Sequence, residues 1–478
     1  MASSSAAWRA SAAALSRAFH LGELDPRDVL DVVLARHAAT HPQLNASVLV
    51  YEAGARNAAA QSAERWRRGK PLSRLDGVPV TVKDNIPVRG LPCSWGSLLF
   101  ADRIATGDDI AVERLRAAGA VLWAKTNTPE LAMAGITENP VFGVTRNPWD
   151  LSRTPGGSSG GGAALVAAGV GPLALATDAA GSIRRPACYC GLVGVRPSTG
   201  LVARLPGSEG IAFPPLAADY QVIGPLARSV EDAALMLHVI AGPDPRDRAS
   251  LGHPLLPADI APPRRPARVG VVAALPGQPC DPAEATATMA AAEALRRHAV
   301  DVRPMSPFWD PDETNALFAT IVAAGVARAV RHHAGWEAKV TPIIRGLAEA
   351  GLALPAHAVL EALDRIGALR LSCATAFAEV DAVLTPASAT LPWSIGQPFP
   401  EMIGGLPAGP RAGGVFSVVV NMLGRPAVAL PGPLSPEGLP AGVQMIGAFG
   451  SDADLLSLSS LLEAALWPDG LPRPPGFA

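Results

Sequence analysis

The sequence predicts an α/β fold, a sheet with covering helices, and three observations carry that expectation. Residues 77–82 read as a strand, a capped helix follows from Asp108/Asp109 to Gly119, and residues 120–125 read as a second strand. Strand–helix–strand units of this spacing mark such a sheet. Short apolar runs at 173–177, 193–195, 380–386 and 427–431 have the length and composition of further buried strands. The chain has 478 residues, 49% of them hydrophobic, ample for one large α/β unit or for two to three domains.

The elements follow in order. Asp25-Pro26-Arg27-Asp28 is a helix start, with a capping Asp, Pro at the first helical position and an acid in the first turn. Val29, Leu30, Val33 and Leu34 then form an apolar stripe, and the first 70 residues read as helical. Ser229 and Asp232 resemble a capping box opening a helix that Gly242-Pro243 stops. Residues 243–268, rich in Pro, Asp and Arg, read as a surface connection. Residues 268–274 are strand-like, and 282–379 are mostly helical with breaks at 304–311, Gly335 and Pro355. After the run at 427–431, residues 443–448 follow as a last strand and 452–466 as a closing helix.

Composition excludes several functions. The net charge is −2 with no basic stripe, and aromatics are 5%, so neither a phosphate-tracking surface nor a base-stacking platform is expected and nucleic acid is not a partner. Five scattered cysteines read as reduced thiols. Cys188-x-Cys190 has no His or second Cys pair nearby, so no metal site is expected. The first twenty residues, rich in Ser, Ala and Arg, resemble a transit peptide in composition, but Ala13, Leu15, Ala18 and Phe19 fit one face of an ordinary helix. The uncharged run 154–177 is long enough to raise a membrane span, but its Gly/Ser turn and Gly171-Pro172 break read as buried core. No membrane association is expected, and the location expected is cytoplasmic.

The stretch TPGGSSGGGAALVAAGVGPLALATDAAGSIRRP, residues 154–186, organises the chain. It holds no charge between Arg153 and Asp178, yet Ser-bearing glycine turns stand at both ends. Burying those hydroxyls is costly unless they are partnered, which marks a site. Lysine sharpens this reading: the chain has 36 arginines and only Lys70, Lys83, Lys125 and Lys339. Arginine stays protonated in proteins, whereas a buried lysine can lose its proton. Lys83, at the end of an apolar strand, suits a general base; the alternative is a structural ammonium paired with Asp84. All nine histidines lie outside residues 42–237. A Ser/His/Asp arrangement across the fold remains open, and serine with a lysine base is the natural alternative.

These motifs resemble the amidase signature family of serine hydrolases. The match runs through residues 156–162 and Ala176-Thr177-Asp178-Ala179-Ala180-Gly181-Ser182-Ile183-Arg184, through Thr81-Val82-Lys83-Asp84-Asn85, and through Ala124-Lys125-Thr126-Asn127-Thr128-Pro129-Glu130. It continues through residues 138–149, 224–232, 421–427 and 438–444, and is loose only over about 270–400. The resemblance implies a central mixed, twisted β-sheet covered by helices on both faces. It implies residues 1–70 as a helical segment packed on the core, 71–242 as the core carrying the chemistry, 243–400 as a variable substrate-shaping region and 401–478 as strands and helix completing the same domain.

By position the resemblance makes Ser182 the nucleophile, Ser158 the bridge after a cis Gly157–Ser158 bond, and Lys83 the base, with no metal or cofactor. Bringing an ordinary lysine to neutrality near pH 7 requires its ammonium to be destabilised by about 4 kcal/mol. Burial supplies that and an ion pair opposes it, so Asp84 is expected to point away from the amine. Successive amides of Ala179, Ala180, Gly181 and Ser182 are expected to face the developing oxyanion. Ala180 replaces the family's usual Gly, a strain if the position needs positive φ. Asp178 and Arg184 are expected to hold the loop. Arg185 reads as a solvated residue or as a clamp for a substrate carboxylate, and Met133 is a second candidate contact. Phe308, Trp309, Phe318 and Trp336 are candidates for lining an apolar pocket, with core packing the alternative for each. The activity implied is amide C–N hydrolysis through an acyl-enzyme, with small-molecule amides, esters, anilides or carbamates as substrates and a monomer or homodimer as the working state. The family also implies two alternatives, the glutamine amidase subunit of a tRNA-dependent amidotransferase and a non-catalytic member.

Overall fold

The computed structural model of the chain describes residues 4–205, 220–262 and 267–477. Eleven strands form one sheet. In chain order they are β1 (Ser47–Val50), β2 (Pro79–Lys83), β3 (Val121–Thr126), β4 (Leu173–Asp178), β5 (Val193–Arg196), β6 (Val222–Ala227), β7 (Arg268–Val271), β8 (Asp301–Pro304), β9 (Ala382–Pro386), β10 (Ala427–Leu434) and β11 (Pro440–Gly447). Across the sheet the order is β1-β3-β2-β4-β6-β5-β10-β11-β9-β7-β8. β2 runs parallel to β3 and β4, and β7 runs parallel to β8 and β9. The remaining neighbours are antiparallel, so the sheet is mixed as expected.

Alternation along the strands explains why helices cover both faces. Val80 and Val82 of β2 join Leu173 and Leu175 of β4 in one large cluster with residues of the helices Ile110–Ala117, Val230–Ile240, Pro282–Arg297 and Asp452–Leu466. Ala174 and Ala176 face the other way, against Ala163, Val166 and Ala167 of the short helix Gly160–Ala167. The uncharged run is therefore a turn, a buried helix and a buried strand. No single helix among the described residues is long and apolar enough to cross a membrane.

Two strands lie where the sequence reads as helical. β1 interrupts the N-terminal helices: Asn45, in the left-handed region at φ 46°, ends the helix Pro26–Leu44, and the next residues pair with β3. β8 falls inside the segment read as helical over 282–379. Both sit at sheet edges, where four residues, a charge or a terminal Pro leave no alternation to read. The rest of that segment is helical, with Pro opening the helices Pro282–Arg297, Pro311–Val330 and Pro342–Ala353. Of the connection expected over 243–268, residues 263–266 lie outside the described residues; the remainder holds one 3-10 turn, Arg248–Ser250.

The capping box at Ser229 is half made. Ser229 Oγ accepts from the Asp232 amide at 3.1 Å, but the Asp232 carboxylate does not reach back. It accepts from the amides of Ala12 and Ala13 at 2.8 and 3.0 Å, capping the helix Ala12–His20 from 220 residues away. Asp232→Ala is expected to leave both amides buried without partners and to lower unfolding stability by about 1–3 kcal/mol. The urea midpoint measures this; a midpoint unchanged from wild type would contradict it.

Candidate active site

β2 ends at Lys83, which is 1% exposed. Its Nζ donates to three hydroxyls: Ser158 Oγ at 2.8 Å, Ser159 Oγ at 2.9 Å and Thr177 Oγ1 at 2.9 Å. Asp84 takes no part, because its Oδ2 accepts from Ser94 Oγ at 2.8 Å. Burial pushes the Lys83 pKa well below the ordinary lysine value, and the Asp178 charge pulls it part way back. Lys125, one residue before the end of β3 and paired with Val82, has a different environment. It donates to the backbone carbonyls of Asp84 and Ile86 at 3.2 and 2.5 Å, pinning the turn that follows Lys83.

The three hydroxyls are not equivalent. Ser159 Oγ donates to the Thr177 carbonyl at 3.2 Å, and Thr177 Oγ1 lies 3.1 Å from the Asn85 side-chain amide. Ser158 Oγ has no protein partner besides Lys83 among the described residues. A charged lysine offers three donors, which the three hydroxyls match; a neutral amine has a lone pair to fill. Ser158 is the hydroxyl whose proton nothing else claims. Ser159 and Thr177 were missed in the sequence, although the second Ser of the pair and a Thr closing an apolar strand were the available signals.

The Gly157–Ser158 peptide is cis. A side chain at Gly157 would run into the carbonyl of Ile136 and lie 2.6 Å from that of Ala134, so only glycine fits this approach. The Ser159 amide donates to the Ser182 carbonyl at 3.1 Å, and Ser158 and Ser182 both line a small inner chamber of about 30 Å³ with Thr177 and Ala179. One of the two expected hydroxyl links is thus closed, Lys83 to Ser158. The other is not a hydrogen bond here: among the described residues no protein group bonds the Ser182 hydroxyl.

The turn after β4 is built on Asp178. Its carboxylate accepts from the amides of Gly181 at 2.8 Å and Ile183 at 3.0 Å. It also binds Arg184 through Nε and Nη2, each at 3.1 Å, with both side chains fully buried. Asn421 Nδ2 adds a contact to the Asp178 carboxylate at 3.0 Å, and Arg184 Nη1 reaches Gln444 at 2.6 Å. Burial pushes the Asp178 pKa up, but the charge and hydrogen bonds of Arg184 overcome it and hold the carboxyl well below its usual range.

This network corrects the expected oxyanion donors. The Gly181 amide is turned inward onto Asp178 and is not available. Among the described residues no protein group accepts from the amides of Ala179, Ala180 or Ser182. The positive φ belongs to Gly181, at 96°, and not to Ala180, so the Ala180 methyl group introduces no backbone strain.

A larger cavity of about 470 Å³ opens in front of Ser182. Its wall includes Met133 and Arg185 from the sequence-derived candidates, and Phe318 from the four aromatics. The other three aromatics are core. Trp309 is buried and donates to the Val415 carbonyl at 3.1 Å; Phe308 packs on Trp309 and Phe377; Trp336 sits in a cluster with Phe100 and Val326. Trp393, Phe399 and Arg411 line the cavity without having been singled out. Cys188 and Cys190 each approach buried backbone carbonyls, and the described residues hold no group of three metal-ligating side chains.

A mixed eleven-stranded sheet with a strand-end lysine set against a Gly/Ser turn defines a class, the amidase signature enzymes. The chain belongs to the Amidase family, whose model matches residues 28–456. A glutamyl-tRNA(Gln) amidotransferase subunit from Chloroflexus aggregans is 35% identical over 460 residues, covering 91% of this chain and 92% of that protein. A bacterial aryl acylamidase of the amidase signature family gives a TM-score of 0.88 at 27% identity, over 95% of this chain and 96% of that one. The substrate complex of 6-aminohexanoate cyclic dimer hydrolase gives 0.87 at 28% identity, over 99% and 100%.

With four lysines in the chain, the titration of Lys83 is measurable by carbon-13 NMR of labelled lysine, with Lys83→Met assigning its signal. The Lys83 midpoint is expected well below the ordinary lysine value, with the amine charged below that midpoint and neutral above it. A midpoint near 10.4 would overturn the environment described.

Proposed function

We propose that the protein hydrolyses the C–N bond of a small-molecule carboxylic amide through a Ser182 acyl-enzyme. The observation that carries this reading is the buried 2.8 Å hydrogen bond from Lys83 to Ser158, with Ser182 on the wall of the same chamber. Neutral Lys83 accepts the Ser158 proton while Ser158 accepts that of Ser182, and Ser182 Oγ bonds to the acyl carbon. The Ala179, Ala180 and Ser182 amides stabilise the resulting oxyanion, each such donor being worth about 10²–10³ in rate. As the C–N bond breaks, Ser158 protonates the departing nitrogen and is reprotonated from Lys83. Water then attacks the acyl-enzyme by the same relay and releases the acid.

The relay requires the Ser158 and Ser182 hydroxyls to come into hydrogen-bond contact as substrate enters, and catalytic hydrogen bonds commonly tighten at that stage. The apolar cavity wall suits aryl and alkyl amides, with anilides, esters and carbamates as further substrates of the same acyl chemistry. Likeness to the aryl acylamidase and to the cyclic dimer hydrolase supports hydrolysis. The second reading, the glutamine amidase subunit of an amidotransferase, is favoured by the 35% identity to a chain of that kind.

A panel of anilides, primary amides, carbamates and glutamine, assayed with the chain expressed alone, separates the two. Turnover of an anilide or carbamate is expected. Ser182→Ala is expected to remove on the order of 10⁴-fold or more of kcat, and Lys83→Met or Ser158→Ala about 10²–10⁴-fold. Turnover of glutamine alone, gained only with a co-purifying second chain, would favour the amidotransferase reading. A fluorophosphonate probe that fails to label Ser182 would overturn both.

A further inference from the structure

The cavity in front of Ser182 carries an unbalanced charge. Among the described residues its wall is apolar apart from Ser182 and two cations, Arg185 and Arg411, and holds no acid. Other buried arginines in the described residues have acceptors. Arg184 has Asp178 and Gln444, Arg196 has the carbonyls of Pro197 and Arg425, and Arg228 has those of Val166, Gly171 and Ala10. Arg185 has none: its Nε is fully buried without a hydrogen-bond partner, and no bond or ion pair of its guanidinium is formed within the described residues. Arg411 likewise makes no ion pair there; it lies over the ring of Phe318, 5.4 Å from its centroid.

Arg185 is also held in place. Its guanidinium lies between two backbone segments, where a Cβ added at Gly135 would sit 2.9 Å from Nη1 and one at Gly414 would sit 3.3 Å from Nη2. Its backbone amide bonds to the Gly181 carbonyl at 2.8 Å, so the main chain that carries it is tied to the turn that bears Ser182. Arg185 is half-buried as a whole, with its Nε enclosed; a guanidinium cannot relieve that burial by losing a proton, and a partly buried charge without an acceptor is costly. Burial lowers the pKa of both arginines, and for Arg185 the nearby Tyr189 and the Asp178 carboxylate offset it only in part. A planar carboxylate matches the fork of a guanidinium with two parallel hydrogen bonds.

We infer that the substrate is an amide that also carries a carboxylate, held by Arg185 with Arg411 as the second cationic contact, while its apolar body lies against Met133, Phe318 and Trp393. The inference rests on the amidase reading and narrows it to anionic amides.

The test uses matched substrates. On the acyl side these are monoanilides of C4–C8 dicarboxylic acids and their methyl esters; on the amine side, N-acyl amino acids and their methyl esters. Wild type is expected to favour the carboxylate of one series by about 10- to 100-fold in kcat/KM, the worth of a charge-assisted bond to a carboxylate. Arg185→Gln is expected to bring that ratio close to one through KM, and Arg411→Gln to reduce it. A ratio read within one preparation is independent of how much of it is folded. Binding to Ser182→Ala, measured by calorimetry, provides a second readout, with the carboxylate expected to bind tighter than its ester. Equal kcat/KM or equal binding for acid and ester in wild type, or a ratio that both arginine variants leave untouched, would overturn the inference. Binding preference without any turnover would instead overturn the hydrolase reading and leave the anion site standing.

Discussion

The structure depends on keeping one amine away from water and away from carboxylates. A lysine at the end of a buried strand remains an ordinary ammonium if an acid stands beside it. The two nearest acids are both occupied elsewhere. Asp84, the next residue, is turned to Ser94, and Asp178 is locked to Arg184 and two backbone amides. What remains around Lys83 Nζ is three neutral hydroxyls. They satisfy the amine in either protonation state without stabilising the charge as a carboxylate would.

The same sheet supplies an internal control. Lys125 is the penultimate residue of the neighbouring parallel strand and shares with Lys83 a Lys-x-Asn sequence, yet its amine meets two backbone carbonyls and no hydroxyl. Carbonyls can only accept, so they hold the lysine as a donor and leave no proton for it to take. Its position under the Lys83–Ile86 turn makes it part of the scaffold that aims Lys83. Lys125 pairs with Val82 and Lys83 with Thr126, so the two side chains leave opposite faces of the sheet and meet different groups.

Lys83 and the two hydroxyl-bearing turns stood out in the sequence because lysine is rare in this chain and because an uncharged segment begins and ends in those turns; the choice of Ser158 and Ser182 within them came from the family resemblance. Most central strands were legible as apolar runs with clear ends, but Val222–Ala227 was not, since Gly224 and Pro225 interrupt its apolar run. The edge strands at 47–50 and 301–304 were not, since a strand with one partner needs neither alternation nor length. The inward turn of the Gly181 amide was hidden as well. It follows from where the Asp178 carboxylate sits, which is decided by Arg184 six residues on, held in turn by Gln444, and by Asn421 from far along the chain. Aromatics were the least legible: Trp309 and Phe318 lie in the same helical region, and only packing sends one to the core and the other to the cavity.

Arg184 and Arg185 show how one turn connects scaffold and cavity. They are adjacent on the helix that starts after Ser182, and neighbouring helical side chains diverge by about 100°. One guanidinium points into the protein and fixes the Asp178 turn; the other lines the cavity in front of Ser182. Moving either would disturb the other, because the Arg185 amide is tied to Gly181 and the Gly181 amide to Asp178. The geometry around Ser182 and the charge on the cavity wall therefore meet in one short segment, which a second segment also touches, Gly414 beside the Arg185 head and Ser417 donating to the Ala180 carbonyl at 3.1 Å.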